Sequence, residues 1–301
     1  MKQTKQMKFR IITVLVFMLF VAVGFFNSGL TASASAASTS NSLHTQTKIY
    51  SSNNDDYFNG CEDYDDYVNS SPTITVLTHG LGSADHYWSN DYNVHGGSTL
   101  AYNSSSLISK IYEKLDGQMT FYVASGIDKG STYDFDFKLI KYSYDDYVNA
   151  NGGKTTSVLD DVSNHIVILF NSSVANKTNH TVYNEFHNIL DNISAQYKNL
   201  TGVLPRFNLV GHSRGGLTNI MYATEHPYNV ASVFSLGTPY SGSVLGELEI
   251  LLKMMGYTDG NYEVINEGVE SIMNEEELQN IRDAWNGAYT ADVNMNVVAY
   301  G

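Results

Sequence analysis

Short apolar runs alternate with amphipathic stretches along the chain from residue 73 onward. Runs rich in β-branched and aromatic residues predict strands at 73–78, 119–124, 135–142, 166–170, 207–210, 230–236 and 293–300. Apolar residues at helical spacing predict helices at 107–115, 182–200 and 217–221, and mainly helical structure at 245–255 and 264–285. This alternation predicts an α/β domain with a mostly parallel sheet between two layers of helices.

The first 72 residues have a different pattern. Four basic residues, at positions 2, 5, 8 and 10, precede an almost unbroken apolar run at 11–26, and an Ala/Ser tract follows at 32–36. This pattern is typical of a secretory signal peptide over residues 1–36, and it predicts a secreted, extracellular protein. A permanent membrane anchor is less favoured, because the apolar run is short and small residues follow it directly. Residues 37–72 are polar and predict an arm or linker, so residues 73–301 form the expected domain.

The stretch at 207–218 reads Phe-Asn-Leu-Val-Gly-His-Ser-Arg-Gly-Gly-Leu-Thr. Its central residues, 211–215, fit the pattern G-x-S-x-G between a predicted strand and a predicted helix. A serine in such a turn has a strained backbone, and its hydroxyl stands clear of the sheet. Gly211 and Gly215 leave room for neighbouring backbone. The N–H of Arg214 lies at a helix N-terminus, where it favours negative charge.

A second motif, His79-Gly80-Leu81-Gly82, follows the first predicted strand directly. A third, softer match is the Gly-Thr-Pro turn at 237–239, after the strand at 230–236. In this order the motifs resemble the α/β-hydrolase superfamily, in its secreted bacterial lipase and esterase branch, and the resemblance covers roughly residues 73–301. It implies Ser213 as the nucleophile and the backbone N–H groups of Leu81 and Arg214 as the oxyanion hole. The implied supporting residues are His79, Gly80, Gly82, Gly211, His212 and Gly215.

The resemblance implies a secreted serine hydrolase that cleaves small-molecule or lipid esters through an acyl-enzyme. It implies no metal and no organic cofactor, and it makes His212 a packing residue rather than a base. Two alternatives stay open because one fold hosts many functions: an acyltransferase or amidase, and a non-catalytic secreted binding module. The net charge is −14, and removal of the basic leader takes it to near −18. This charge disfavours nucleic acid and anionic membrane surfaces as partners.

The acid and the histidine of a catalytic triad are hard to find in this sequence. In the α/β-hydrolase order they follow the serine, and the only later histidine is His226. It lies thirteen residues along the predicted helix, roughly 20 Å from Ser213, which is too far for a general base. Asp292 lies at the wrong end of the predicted last strand. We therefore expect the chain to be C-terminally incomplete, lacking a strand, the acid and the histidine, with His86 as an upstream alternative base.

Four further features have open or minor interpretations. The hexapeptide Tyr-Asp-Asp-Tyr-Val-Asn occurs at 64–69 and again at 144–149, and solvated acidic loops are favoured over calcium loops. Trp88 either lines an acyl pocket or packs against the domain. Glu185 is expected on the face of the helix predicted at 182–200 that lies opposite its apolar face, and His187 is expected between the two faces, in a surface role. The single cysteine, Cys61, lies among acidic residues that disfavour a reactive thiolate.

Overall fold

The structure is a computed structural model that describes residues 67, 71–81, 88, 106–131, 134–148, 153–156, 158–242, 266–289 and 295–300. These residues belong to one compact unit, Ser42–Gly301. Several predictions fall outside them: the signal peptide, most of the polar arm, the helix at 245–255, and the positions of Cys61, Gly82, His86 and Asp292. Within the arm, Tyr67 is fully buried.

The described strands form one eight-stranded sheet in the order β4-β3-β2-β5-β1-β6-β7-β8. Neighbouring strands run parallel from β2 through β5, β1, β6 and β7 to β8, whereas β3 and β4 are antiparallel. The mostly parallel sheet is therefore confirmed. The strands are β1 Thr73–Thr78, β2 Met119–Ser131, β3 Asp134–Tyr142, β4 Lys154–Thr156, β5 His165–Phe170, β6 Arg206–His212, β7 Val230–Leu236 and β8 Asn296–Tyr300.

Six helices lie among the described residues, with a 3-10 turn at Pro227–Asn229. They are α1 Leu107–Lys114, α2 Tyr144–Val148, α3 Asn179–Thr201, α4 Arg214–Glu225, α5 Asn266–Met273 and α6 Glu275–Tyr289. The helical stretch predicted at 264–285 is thus two helices. Asn274 separates them, and its side chain accepts the Glu277 N–H as a helix cap does. Within this part of the chain, no helix combines the length and the apolarity that a membrane span needs.

Both faces of the sheet are covered, which explains why its central strands are continuously apolar. On β5, Ile166, Ile168 and Phe170 face the core shared with α3 and α4. Val167 and Leu169 alternate with them and face a second core, shared with α1. The structure therefore has three layers, with helices on both faces of the sheet, as the alternating pattern predicts.

The second copy of the acidic hexapeptide is not a solvated loop. Its residues form α2, and Tyr144 stacks on Tyr112 of α1 with the ring centroids 3.9 Å apart. Tyr147 meets Phe121 edge to face at 4.6 Å. The aromatic contacts of the two tyrosines attach this segment to α1 and β2. The sequence pattern does not indicate this packing, because the aspartates between the tyrosines are charged and favour a solvated loop.

Trp88 packs in the core on the α1 side of the sheet. It is 3% exposed and belongs to the cluster that contains Leu77, Ile108 and Phe121. Of the two interpretations of this residue, packing against the domain is therefore correct.

Candidate active site

The two main motifs meet at one edge of the sheet because β1 and β6 are parallel neighbours. Thr78, the last residue of β1, lies opposite Gly211 near the end of β6. The loop after β1 and the turn after β6 therefore leave the sheet side by side. A Cβ atom placed on Gly80 would lie 2.9 Å from Cβ of Ser213, so Gly80 allows the loop to approach this serine.

Ser213 has the backbone strain that the sequence pattern predicts for this turn. Its φ and ψ are 54° and −127°, a region that L-residues other than glycine rarely occupy and that costs on the order of 1–3 kcal/mol. The Ser213 N–H donates to the carbonyl of Leu236 at the end of β7, 2.8 Å away. The side chain makes no capping hydrogen bond to α4, and the residue is partly exposed. Its hydroxyl is thus not used to cap the helix.

The glycines around Ser213 are required by close backbone contacts. A Cβ on Gly215 would lie 2.2 Å from the carbonyl oxygen of Thr78 and 2.6 Å from that of His79. A Cβ on Gly211 would lie 2.6 Å from the Gly216 nitrogen. Real Cβ atoms do not approach backbone this closely, so β1, β6 and α4 reach their observed spacing only with glycine at these positions.

The two predicted oxyanion donors lie in the loop and the helix that flank Ser213. Arg214 is the first residue of α4, where backbone N–H groups have no partner within the helix. Leu81 directly follows Gly80, and its side chain packs against Leu217, Ile272 and Leu278. Gly268 of α5 makes room for it, because a Cβ there would lie 2.4 Å from Leu81 Cδ1. The loop is therefore held by apolar contacts with α4, α5 and α6.

His79 is buried and fixes the base of the loop that follows β1. Its Nε2 accepts the N–H of Ser172 at 3.1 Å, and its Nδ1 donates to the Gly80 carbonyl at 2.8 Å. These two bonds assign the proton of the neutral ring to Nδ1. The ring stacks on Phe170 with the centroids 5.8 Å apart. His79 is therefore a positioning residue that joins β1, β5 and the loop.

Glu185 is buried, whereas the helical pattern places it on the solvent-facing side of α3. It is fully buried, and its carboxylate accepts the Ser172 hydroxyl at 2.5 Å and the N–H groups of Ser173 and Gly126 at 2.8 and 2.9 Å. Gly126 has no side chain in the space that Glu185 fills. A helical pattern alone cannot reveal this role, because the partners come from β2 and from the loop after β5.

The side chain of Arg214 complements this buried carboxylate. It is 1% exposed and donates to the carbonyls of Ala175 and Lys177, so it holds the loop that follows β5. Burial lowers the pKa of Arg214 to about 10, and the charge of Glu185 opposes that shift. The guanidinium is therefore charged at neutral pH, and a single residue contributes both a candidate oxyanion N–H and a cationic anchor.

The histidines near the motifs have distinct locations. His212 precedes Ser213 and lies beside Gly80, and burial lowers its pKa. His226 ends α4, and its Nε2 lies 2.8 Å from that of His187 on α3. Burial, together with His187, lowers the pKa of His226. His187 is half-buried and paired rather than a simple surface residue, and the position of His226 agrees with its exclusion as the base.

A cavity of about 420 Å³ lies elsewhere, between α3, α4 and the α5–α6 pair. Its walls include His180, Glu225 and Ile281 and none of the predicted site residues. It is therefore separate from the Ser213 turn and is not a candidate acyl pocket.

A parallel central sheet, a strained serine between a strand and a helix, and a glycine-containing loop on the adjacent strand define the class. The chain has the α/β-hydrolase fold.

Among solved structures, the chain is similar to the product of the Listeria innocua gene lin2722, with 16% identity and a TM-score of 0.33 over 57% of this chain and 53% of that one. It is also similar to the mature form of the Bacillus licheniformis lipase BlEst2, with 14% identity and a TM-score of 0.34 over 72% and 60%. The chain thus spans between half and two thirds of each of these proteins. No protein-family model and no curated protein sequence matches it.

Proposed function

We propose that this protein is a secreted serine hydrolase that cleaves carboxylic esters, with Ser213 as its nucleophile. The observation that carries the proposal is the strained Ser213 backbone directly beside Gly80 of the oxyanion loop. Strain of this kind is retained only where the surrounding structure enforces it, and it is concentrated at reactive sites. The acidic chain favours neutral or cationic esters over polyanionic ones.

In the proposed reaction, Ser213 Oγ attacks the ester carbonyl and its proton passes to a general base. The resemblance to lipases and esterases implies that this base is a histidine. The backbone N–H groups of Leu81 and Arg214 donate to the oxyanion of the tetrahedral intermediate, each lowering the barrier by about 3 kcal/mol. Departure of the alcohol leaves an acyl-enzyme, which water then hydrolyses to free Ser213.

The experiment is covalent labelling with a fluorophosphonate, followed by peptide mapping. With an intact catalytic domain, we expect one labelled residue, Ser213, and no labelling of the Ser213→Ala variant. The matched control is Ser163→Ala, because Ser163 is an exposed serine whose hydrogen bonds within the described residues go to Asp161, two positions earlier. This control should label like the wild type. Equal labelling of Ser213→Ala and the wild type would refute the assignment.

Turnover separates the remaining candidate functions. Hydrolysis of p-nitrophenyl esters that depends on Ser213 supports the esterase. Faster transfer to an added alcohol or amine than to water supports an acyltransferase, and preferential cleavage of anilides supports an amidase. A folded protein with an intact catalytic domain that neither labels nor turns over these substrates would support the non-catalytic binding module.

A further inference from the structure

Two histidines from different helices meet at the end of α4 that is remote from Ser213. His187 lies within α3, and His226 is the residue that ends α4. Their Nε2 atoms are 2.8 Å apart, and their ring centroids are 4.8 Å apart. In this arrangement of two neutral imidazoles, one Nε2 carries a proton and the other carries a lone pair, and both face the same point between the rings. Replacement of that proton by a cation would give both nitrogens a partner.

The spacing fits a transition-metal ion after a small opening of the pair. Zinc binds histidine nitrogen at 2.0–2.1 Å with tetrahedral angles, which separates two such nitrogens by about 3.3 Å. The observed separation is about 0.5 Å shorter than this. Modest rotation of the two side chains about their χ angles covers that difference and needs no movement of either helix.

Asp191 supplies the carboxylate that usually accompanies a metal-binding histidine. It lies one turn beyond His187 on α3, and its Oδ2 is 3.4 Å from His187 Nδ1. Atoms of Asp191, His187 and His226 lie within 4.8 Å of one another. A carboxylate on Nδ1 orients the ring and makes Nε2 a better ligand. The Asp191 side chain is 53% exposed, so water can reach the ion and complete its coordination.

Neighbouring aromatic rings hold the two imidazoles in place. Tyr222 stacks on His226 with the centroids 4.6 Å apart and the ring planes 30° apart. Tyr183 meets His187 edge to face at 5.8 Å, and its hydroxyl donates to Glu225 at 2.5 Å. The ligand atoms are therefore largely preorganised, which reduces the entropy lost when an ion binds.

We propose that His187 and His226, supported by Asp191, form a zinc site that ties the middle of α3 to the end of α4. Its role is structural, because Ser213 lies roughly 20 Å away at the other end of α4. The bound ion would fix the helix that carries the nucleophile and leave the chemistry to Ser213. The competing account is a simple histidine–histidine hydrogen bond with no affinity for metals.

The test is Zn²⁺ titration of the purified, metal-stripped full protein, produced without a histidine tag. We expect one equivalent of Zn²⁺ to bind and to raise the melting temperature. His187→Gln and His226→Gln should each weaken binding at least tenfold, and Asp191→Asn about ten- to a hundredfold. The matched control is His180→Gln, an exposed histidine on the same helix, which should bind like the wild type.

Failure to bind one equivalent, or equal affinity in the wild type and both histidine variants, would overturn the site. If the histidine variants do not fold, Asp191→Asn decides the question, because equal affinity there contradicts the proposal and tenfold weakening supports it. Co²⁺ gives a second readout, since four-coordinate binding to nitrogen and oxygen adds visible absorption that the variants should lose. The inference is independent of the esterase proposal, because Ser213→Ala should bind Zn²⁺ like the wild type.

Discussion

The carboxylate of Glu185 joins β2 to the loop after β5, and Ser172 of that loop in turn bonds to His79. Glu185→Gln keeps the shape of the side chain but places an N–H₂ group or a neutral oxygen where a charged acceptor lies. We expect the free energy of unfolding to fall by about 2 kcal/mol, because hydrogen bonds to charged groups are the stronger ones. We also expect slower fluorophosphonate labelling and a lower kcat, with a smaller change in KM. Urea unfolding and ester kinetics measure both effects.

Glu113→Gln is the matched control for this prediction. Glu113 lies on α1, is 58% exposed and pairs with Lys110 across one turn of the helix. Exposed pairs of this kind contribute little to stability, so the variant should stay within about 0.5 kcal/mol of the wild type. Equal stabilities of Glu185→Gln and Glu113→Gln would show that the buried carboxylate does not hold the loop.

Single residues could be predicted where their chemistry is local and not where it depends on distant partners. The strained turn at Ser213 follows from five consecutive residues and their flanking strand and helix. Glu185 could not be found in this way, because helical periodicity assigns a charged residue to the solvent. Its burial is possible only because Gly126 and Ser172, both distant in sequence, supply space and donors.

At the scale of elements, Gly215 sets the distance between α4 and the end of β1. Gly215→Ala would force a methyl group to within 2.2 Å of the Thr78 carbonyl oxygen. The obstacle is backbone in a central strand, which cannot rotate away, so α4 must shift and Ser213 with it. We expect a loss of at least about 3 kcal/mol in the free energy of unfolding and the loss of fluorophosphonate labelling. Thermal unfolding and labelling check this.

Replacement of glycine by alanine should have the opposite effect on stability at Gly287. It is exposed on α6, and among the described residues no atom outside the local helix backbone lies within 4 Å of the Cβ that alanine would add. Because glycine is a poor helix former, Gly287→Ala should raise the free energy of unfolding by about 0.5–1 kcal/mol. If Gly215→Ala is instead as stable as the wild type, the close contact between α4 and the end of β1 can relax, and the prediction for Gly215 is wrong.

The sequence predicts elements well where both sheet faces are buried. The predicted strand at 230–236 has the bounds of β7, and the one at 166–170 differs from β5 by one residue, because their apolar runs are unambiguous. The outer half of β2 was missed because residues 127–130 are exposed and only Ile127 among them is apolar; backbone pairing with β3 holds this half of the strand. β4 was also missed. It is only three residues long, it is mostly exposed, and it pairs with β3 at the edge of the sheet.

At the scale of the whole molecule, the basic and apolar N-terminus is the basis for expecting export. We expect the secreted form to begin between Ser33 and Ser38, after cleavage in the Ala/Ser tract. Intact-mass spectrometry of the culture medium measures the new N-terminus. Recovery of Met1 in a washed membrane fraction would instead support a permanent anchor.

The hydrogen bond from Ser213 to Leu236 also has a consequence for how the protein reaches its reactive state. The serine turn is held by β7 on one side and by Gly80 after β1 on the other, and these segments are far apart in the chain. Contacts of high sequence separation form slowly during folding, because a long loop must close before they stabilise anything. A partly folded chain can therefore contain α4 and β6 without a competent Ser213. If fluorophosphonate labelling is followed during refolding, the rate at which Ser213 becomes reactive would report when the native topology forms, rather than when secondary structure forms.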